Sequence, residues 1–494
     1  MAALTRSHTS RVAQAPICSS ASHRNTYTAA IAFGANIGDR LANIQAALQL
    51  LPQHGVEILR YSRLYESDAA YVTEQPAFLN GAVAASTELS PKDLLAALKD
   101  IEARLGRSFH GQRWGPRPID LDIIFYGGLS MQDELLEVPH ARWAERSFVT
   151  APLADLYSAR ELPCQQPGLA GMLERVHQVR SMPGHPGADD VGLRCVLPLP
   201  SNRLWQWQDR TAVMGILNVT PDSFSGDGQV DSIDSVVARA RGMLADGADI
   251  LDVGGQSTRP GAQLLSPQAE ARRVIPVISA LQADLETKDA VLSVDTFHSC
   301  VAAEAVAAGA HMVNDVSGGR MDPNMFAEVA RLRVPYILMH MRGTPATMQS
   351  RENTSYASVC EDVGRELQSQ AVQAIAAGIE PWRIITDPGI GFAKTAAGNL
   401  ELIAGLQRVR EQLSGPLHQM PMLVGPSRKG FLGKLTGHKV AAERDHATAA
   451  AAALCVAAGA SIVRAHNVRA VYDAVRVADA VKGASTSAAF AASS

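Results

Sequence analysis

Two aspartates one residue apart, Asp120 and Asp122, stand in the alternating run Ile119-Asp120-Leu121-Asp122-Ile123, which reads as a strand with both carboxylates on one face. Along such a strand they lie about 6.5 to 7 Å apart, a spacing suited to adjacent magnesium ions bridged by phosphates. Alternation alone produces this pattern on the wet face of many sheets, so the neighbours decide. Arg113-Trp114-Gly115-Pro116-Arg117-Pro118 leads into the pair, and His140, Arg142 and Arg146 follow it. Guanidinium groups beside paired carboxylates are what a nucleotide polyphosphate with its metals requires.

A second set of candidate groups ends a series of apolar runs. Eight such runs, at 213–217, 250–253, 291–294, 312–313, 336–339, 384–385, 422–424 and 462–463, stop at polar residues. The terminal groups are Asn218, Gln256-Ser257-Thr258-Arg259, Asp295, Asn314-Asp315, His340, Asp387, Ser427-Arg428-Lys429, and Arg464 with His466. Asp295, Asn314 and Asp387 suit the fixed donor and acceptor edge of a flat heterocycle. Arg259, Lys429, Arg464 and protonated His466 supply cations, so a polar ring bearing an anionic group is implied. Phe392, in the turn Pro388-Gly389-Ile390-Gly391-Phe392, is available to stack on a second flat ligand. Blander roles fit three neighbours: Asp315 as a helix cap, His340 as a packed rim histidine and Met339 as core.

The elements that must carry these groups can be read from spacing. Between the apolar runs lie helical patterns such as Ile233, Val236, Val237, Ala240, Met243 and Leu244, ended by Gly247. Eight strand-and-helix units predict a TIM (β/α)8 barrel, whose strand ends converge on one rim. A doubly wound sheet is the alternative, but no G-x-G-x-x-G turn follows a first strand. Upstream, strands at 29–33, 56–65, 82–89 and 119–125 alternate with helices after Asn36 and after the Ser90 cap. The order βαββαβ predicts a ferredoxin-like α+β sandwich. Prolines and glycines between about 165 and 204 mark a linker. The expected layout is a tail at 1–27, a first domain at 28–165, the linker at 166–204, the barrel at 205–480 and a disordered tail at 481–494.

Composition bounds the function. At 494 residues the chain exceeds one ordinary core, and 47% hydrophobic against 19% charged residues supports large globular domains. A net charge of -4 gives no general field for nucleic acid, so anions must be held by local groups. Six cysteines form no C-x-x-C pair and read as free thiols in a reducing compartment. The apolar stretch 447–463 is mostly alanine and reads as a buried helix, a glycine stop and the eighth strand, so no membrane partner is expected. The first 38 residues hold Arg6, Arg11 and Arg24 and no acid, the bias of an organelle transit peptide. A mitochondrial matrix location is expected from it, with cytoplasm or plastid as alternatives. The small and turn residues from Thr220 to Gly228 predict a mobile lid after the first barrel strand.

Two families are recognisable on these residues. The first unit resembles 6-hydroxymethyl-7,8-dihydropterin pyrophosphokinase through R-W-G-P-R-x-x-D-L-D-I, together with Gln75-Pro76, Phe78-Leu79-Asn80, Glu102, Gly106-Arg107 and Pro139-His140. That resemblance implies Asp120 and Asp122 as Mg2+ ligands, Arg107, Arg117, His140 and Arg146 as phosphate and nucleotide contacts, Asn80 as a pterin partner, and Phe78 and Trp114 as ring-pocket walls. The implied reaction moves the β,γ-diphosphate of ATP to a primary alcohol. Gly34-Ala35-Asn36 and Ser67-Asp68-Ala69-Ala70 depart from the family pattern on the pterin side.

The barrel resembles dihydropteroate synthase through residues 214–224, Ser257-Thr258-Arg259-Pro260-Gly261, Asp387-Pro388-Gly389 and Ser427-Arg428-Lys429. The resemblance implies that Asp295, Asn314, Asp387 and Lys429 hold the pterin. It gives the diphosphate to Asn218, Arg464 and His466, with a magnesium at Asn218, and sets Thr258, Phe392 and Ser427 near p-aminobenzoate. Gln256 and Ala465 depart from common family residues, and the former resembles the plant two-domain enzyme. A bifunctional folate-pathway transferase is therefore expected, homo-oligomeric through the barrel. A pterin-binding methyltransferase barrel or a catalytically silent scaffold are the alternatives; the cations Lys429, Arg464 and His466 argue against the first, and intact Asp120, Asp122 and Arg117 against the second.

Overall fold

A computed structural model of the chain describes residues 26–108, 114–156, 167–182, 192–219, 233–257 and 264–491. The first unit contains β1 (Tyr27–Ala35), α1 (Arg40–Leu50), β2 (Val56–Tyr61), β3 (Leu64–Ser67), β4 (Phe78–Thr87), α2 (Pro91–Arg104) and β5 (Asp120–Tyr126). The short pair β6 (Met131–Gln132) and β7 (Glu137–Val138) follows, then α3 (Ser147–Leu156) and α4 (Pro167–Arg180). The single strand expected at 56–65 is two. The break comes at Ser62, whose hydroxyl turns inward to accept from the Ala82 amide at 2.8 Å.

The antiparallel sheet has the order β5-β1-β4-β3, with β2 also on β4, and it is extended by β8 (Arg194–Leu199) and β9 (Arg203–Trp205) from the expected linker. Strand alternation sorts its two faces. Ala29, Ile31 and Phe33 of β1 pack with Leu41, Ile44 and Leu48 of α1 and Leu94, Leu98 and Ile101 of α2. Ala30 and Ala32, with Ala82 and Ala84 of β4, pack against Val149, Leu153 and Leu156 of α3. The ferredoxin-like helices thus cover one face, and α3 covers the other.

The barrel strands are β10 (Ala212–Asn218), β11 (Ile250–Gly254), β12 (Val291–Asp295), β13 (Met312–Asp315), β14 (Tyr336–Met339), β15 (Ile384–Asp387), β16 (Leu423–Val424) and β17 (Ile462–Ala465). They form an eight-stranded parallel sheet, closed between β15 and β16 by one bridge from Thr386 to Met422. The intervening helices are α5 (Ile233–Ala245), α6 (Pro267–Ala283), α7 (Ser299–Ala307), α8 (Met325–Leu332), α9 (Val359–Ala376), α10 (Ala396–Ala404), α11 (Leu406–Arg410), α12 (Gly430–Thr436) and α13 (Asp445–Ala457). A last helix, α14 (Val468–Ala491), runs on through the stretch expected to be a tail. Ser266 and Thr395 cap α6 and α10 by accepting amide bonds from Ala269 and Gly398, which satisfies donors that a helix start leaves open.

Alternation also sorts the barrel. Leu217, Leu251, Val253, Leu292, Val294, Val313 and Leu338 point outward to the helices. Met214, Ile250, Met312, Ile337, Ile385 and Ile462 point inward at the amino-terminal ends and join the core of the first unit. Trp382, fully buried just before β15, stands edge-on to Phe33 and Tyr61, with ring centroids 6.4 and 5.4 Å away. Gln45 Nε2 adds a polar tie to Glu380 Oε1 at 2.9 Å. The helix-covered face of the first unit therefore seals the barrel floor. No helix among the described residues is long and apolar enough to cross a membrane, and Cys195, Cys300, Cys360 and Cys455 are free thiols.

Candidate active sites

Register builds the first site. Gly34 of β1 lies opposite Asn80 on one side and Asp120 on the other, and Ala32 pairs with Asp122 in the next row. Small residues in the central strand leave a trough between an amide and two carboxylates. A side chain at Gly34 would close it, since an added Cβ would meet Asn80 Oδ1 at 3.0 Å. The trough is the floor of a cavity walled by Phe78, Trp114, Tyr71 and Phe148, with Arg117 and Arg146 at its polar end.

Three segments meet over that floor. Asn36 Oδ1 accepts the Arg117 amide at 2.8 Å, while its Nδ2 donates to Gln75 Oε1 at 3.0 Å, and Gln75 Nε2 reaches the Trp114 carbonyl at 2.9 Å. Tyr71 stacks on Trp114 at 5.0 Å, and its hydroxyl accepts from Arg146 Nε at 3.1 Å. Arg117 lies 5.7 Å over the Phe78 ring, which sets a cation beside the aromatic wall.

The two aspartates are not equivalent. Burial works against ionising Asp120, but Arg107, Arg117 and Lys99 outweigh it and hold its carboxyl below the ordinary range. Arg107 Nη1 pairs with Asp120 Oδ1, and Arg117 Nη1 reaches Oδ2 at 2.7 Å. Asp122 is pushed up, first by burial and then by Asp120 itself. Asp122 is therefore the carboxylate that gains most from an added cation. Behind the pair, buried Glu102 forms an ion pair with Arg107 at 2.6 Å and accepts from the Leu121 amide at 2.7 Å, fixing Arg107 to the strand. His140 is tied to β5 through its amide and the Ile124 carbonyl at 3.1 Å.

The second site is the inward-facing polar layer of the barrel. Arg464 Nε donates to Asp252 Oδ2 at 2.6 Å and its Nη2 to Asp295 Oδ2 at 2.7 Å. Asn314 Nδ2 reaches the same Asp252 oxygen at 3.0 Å. The other oxygen, Asp252 Oδ1, is buried without a hydrogen-bond partner, an acceptor turned to the interior. Asp252 was not singled out in the sequence. Its signal was there: a charged residue inside the apolar strand Ile250-Leu251-Asp252-Val253, at the same parity as inward-facing Ile250.

Burial raises Asp295 to about 7 against the pull of Arg464, and raises Asp387 to about 6 although the Gly389 amide donates to it at 2.7 Å. Lys429 is lowered to about 7, first by burial and then by Arg464. Its Nζ sits 3.8 Å from the centre of the Phe392 ring. That approach requires Gly391, at φ +85°, because an added Cβ would fall 2.6 Å from Lys429 Cδ. Lys394, also missed in the sequence, pins the same turn by donating to the Gly389 and Phe392 carbonyls at 3.1 and 3.0 Å. Ser427 Oγ and His466 Nδ1 are 2.9 Å apart, joining the ends of β16 and β17.

Asn218 ends β10 with its side chain beside Gly254 and Asp295. Asp315 is structural, as expected, though it ties a turn instead of capping a helix: it accepts the Ser317 and Gly319 amides at 2.7 and 2.8 Å and the Tyr336 hydroxyl at 2.7 Å. His340 is a buried rim histidine between Glu366 at 2.9 Å and Lys394 at 3.2 Å, and Met339 is core. Thr258, Arg259, Arg113 and the expected lid at 220–228 lie outside the described residues.

Comparison with known proteins divides the chain between two families. Residues 30–158 match the 7,8-dihydro-6-hydroxymethylpterin-pyrophosphokinase family and residues 214–466 the pterin binding enzyme family. The chain is 47% identical over 468 residues to a mitochondrial folate synthesis bifunctional protein of Pisum sativum, covering 91% of this chain and 88% of that one. A folate synthesis bifunctional protein of Arabidopsis thaliana is 44% identical over 466 residues, 91% of this chain and 95% of the relative. The barrel is similar to the Xanthomonas albilineans dihydropteroate synthase solved with 4-aminobenzoic acid, with TM-score 0.52 and 41% identity over 58% of this chain and 98% of that one.

The raised carboxyls give the barrel site a pH dependence. Asp295 and Asp387 take up protons as pH falls through about 7 and about 6 respectively, and a protonated carboxyl loses an acceptor for ring N–H groups. Affinity for a dihydropterin should therefore fall with decreasing pH across that window, by up to about tenfold per pH unit for each linked proton. Calorimetric titration at stepped pH, with Asp387→Asn as the comparison that isolates the barrel, checks this. Parallel pH profiles for the two proteins would contradict it.

Proposed function

The chain belongs to the bifunctional folate-synthesis family and is a transferase with both hydroxymethyldihydropterin diphosphokinase and dihydropteroate synthase activities, and we propose the following division of labour among its residues. What supports it is that each unit joins a flat-ring pocket to an anion-holding cluster, and the clusters differ in kind. Upstream it is two carboxylates flanked by arginines; downstream it is an arginine, a lysine and a histidine.

In the first site Asn80 holds the pterin edge while Phe78, Trp114, Tyr71 and Phe148 enclose the ring. Arg107, Arg117, Arg146 and His140 hold the phosphates of ATP, with Arg117 above Phe78 aligning the diphosphate with the pterin alcohol. Asp120 and Asp122 are the ligands for Mg2+. The donor set fits that ion: two carboxylates on one face of β5, with Asp122 raised by burial and by Asp120, offer oxygen ligands that phosphate oxygens can complete, as magnesium favours. When bound, it supplies positive charge against the charge developing on the phosphates.

In the barrel Asp295, Asn314, Asp387 and Lys429 hold the pterin edge, with buried Asp252 behind them holding Asn314 and Arg464 in place. Arg464, His466 and Asn218 face the diphosphate, Asn218 being also the site for a second magnesium. Thr258, Phe392 and Ser427 lie near p-aminobenzoate, and Arg259 faces an anionic group. The C–O bond at the pterin methylene breaks to release pyrophosphate, the aniline nitrogen forms the C–N bond at the cationic methylene left behind, and the proton it then sheds goes to pyrophosphate or water. A neutral arylamine is a poor nucleophile, so the cations contribute by stabilising the departing diphosphate and thereby the formation of the pterin cation. No side-chain nucleophile is needed.

Two wider properties belong to this reading. Leu454 on α13 and Val477 and Val481 on α14 are 62, 65 and 62% exposed, a patch that a second barrel would cover in a homodimer. The acid-free, arginine-bearing first 38 residues support import into mitochondria.

Full-length chain given ATP, magnesium, hydroxymethyl-dihydropterin and labelled p-aminobenzoate should release AMP and form labelled dihydropteroate. Asp122→Ala should abolish AMP formation, since lost charge stabilisation is worth several kcal/mol; unchanged AMP release would refute the metal assignment. Lys429→Ala should spare AMP formation and block dihydropteroate formation from supplied pterin diphosphate. Equal damage to both steps would refute the division of labour. By light scattering the wild type should have twice the mass of Leu454→Glu/Val477→Glu; equal masses would sink the dimer. Residues 1–40 fused to a fluorescent protein should accumulate in mitochondria, and diffuse signal throughout the cell would exclude import.

A further inference from the structure

The turn that presents Ser427 and Lys429 is held in a conformation its central residue disfavours. Arg428 has φ +56°, in the left-handed region where a Cβ crowds the backbone. Such a residue persists only where its surroundings over-determine it, and these outliers gather at functional sites.

The surroundings here converge on one carboxylate. Arg428 Nε donates to Asp445 Oδ1 at 2.7 Å and Nη2 to Oδ2 at 2.8 Å, a two-pronged pair that fixes direction as well as distance. The Arg428 amide donates to Thr448 Oγ1 at 3.0 Å, and Arg444 Nη1 donates to the Arg428 carbonyl at 3.0 Å. Asp445 Oδ2 also accepts from Asn467 Nδ2 at 3.0 Å. Asn467 follows His466, whose amide donates to Ser427 Oγ at 3.1 Å. The first turn of α13 thus grips both the turn after β16 and the loop after β17.

We propose that Asp445 is a positioning residue for the synthase reaction: it clamps Arg428 in its strained conformation and ties that turn to Asn467, so that Ser427, Lys429 and His466 face the same site together. This rests on the assignment of those three residues to the barrel site. Asp445 acts through Arg428 and Asn467, not on substrate.

The test uses the full-length chain and reads each activity separately. Asp445→Ala should lower synthase kcat/KM for pterin diphosphate by roughly 10- to 100-fold, the scale of a misplaced site group, while AMP formation stays unchanged. Glycine occupies positive φ without penalty, so Arg428→Gly alone should retain most synthase activity, and adding it to Asp445→Ala should restore most of the loss. That rescue separates positioning from general support of the fold, which a second cavity would only worsen. Unchanged synthase kcat/KM in Asp445→Ala, or equal losses in the single and double variants, would overturn the proposal. If Asp445→Ala does not fold, Asp445→Asn, alone and with Arg428→Gly, is read by the same criteria. Lys429→Ala distinguishes the two levels: activity lost there but not in Asp445→Ala refutes the clamp alone, whereas activity retained in Lys429→Ala refutes the site assignment beneath it.

Discussion

The barrel site depends on one buried contact, the Arg464 guanidinium between Asp252 and Asp295. It joins strands β17, β11 and β12 from inside, with Asp252 fully buried and Arg464 and Asp295 mostly so. Two carboxylates share one guanidinium, so the negative charge is only partly answered, and burial accordingly lifts Asp295 to about 7. Removing one member of such a buried set typically costs about 3 to 5 kcal/mol, because the remainder is left charged in a poor solvent.

The first site solves a related problem in the opposite way. Its carboxylates line a cleft where Arg107, Arg117 and Lys99 already hold Asp120 ionised. Asp122 is left raised beside it, and added positive charge would act there. One unit therefore stores uncompensated acid in a trough made by Gly34 and Ala32. The other stores cations, with Lys429 lowered to about 7 beside the Phe392 ring. Phosphate enters the first site as a transferable group and the second as a leaving group, and each charge arrangement suits its step.

Much of this was legible in the sequence because both units obey simple periods. Alternation put Asp120 and Asp122 on one face, and eight apolar runs ending in polar groups gave the barrel and its rim. Asp252 is hard to read from sequence because it lies inside an apolar strand, whereas the rim groups stand at strand ends; the barrel's polar layer begins one inward step below them. Lys394 escaped because its role comes from backbone carbonyls brought to it by the turn. Tyr71 and Phe148 lie far from the signature motif in the chain and reach the pocket only through the packing of separate loops. The break at Ser62 and the joining of β8 to β3 are tertiary choices, made by one hydroxyl and by the linker's return to the sheet edge. Where side-chain chemistry and strand parity agree, the sequence speaks plainly; where a backbone group is the partner, it does not.

The same parity decides which face of the sheet each unit uses. Asn80, Asp120 and Asp122 share the sheet face with Ala30, Ala32 and Ile124, which pack against α3. The barrel meets the opposite face, through Phe33 and Trp382. Its floor is filled by Met214, Ile250, Met312, Ile337, Ile385 and Ile462, all at most 2% exposed, and its polar layer opens at the other end of the strands. Between the two clusters of polar groups stand the sheet and the packed floor, whose apolar side chains form one continuous core. The fusion therefore contributes a fixed one-to-one ratio of the two units and a hydrophobic core shared between them.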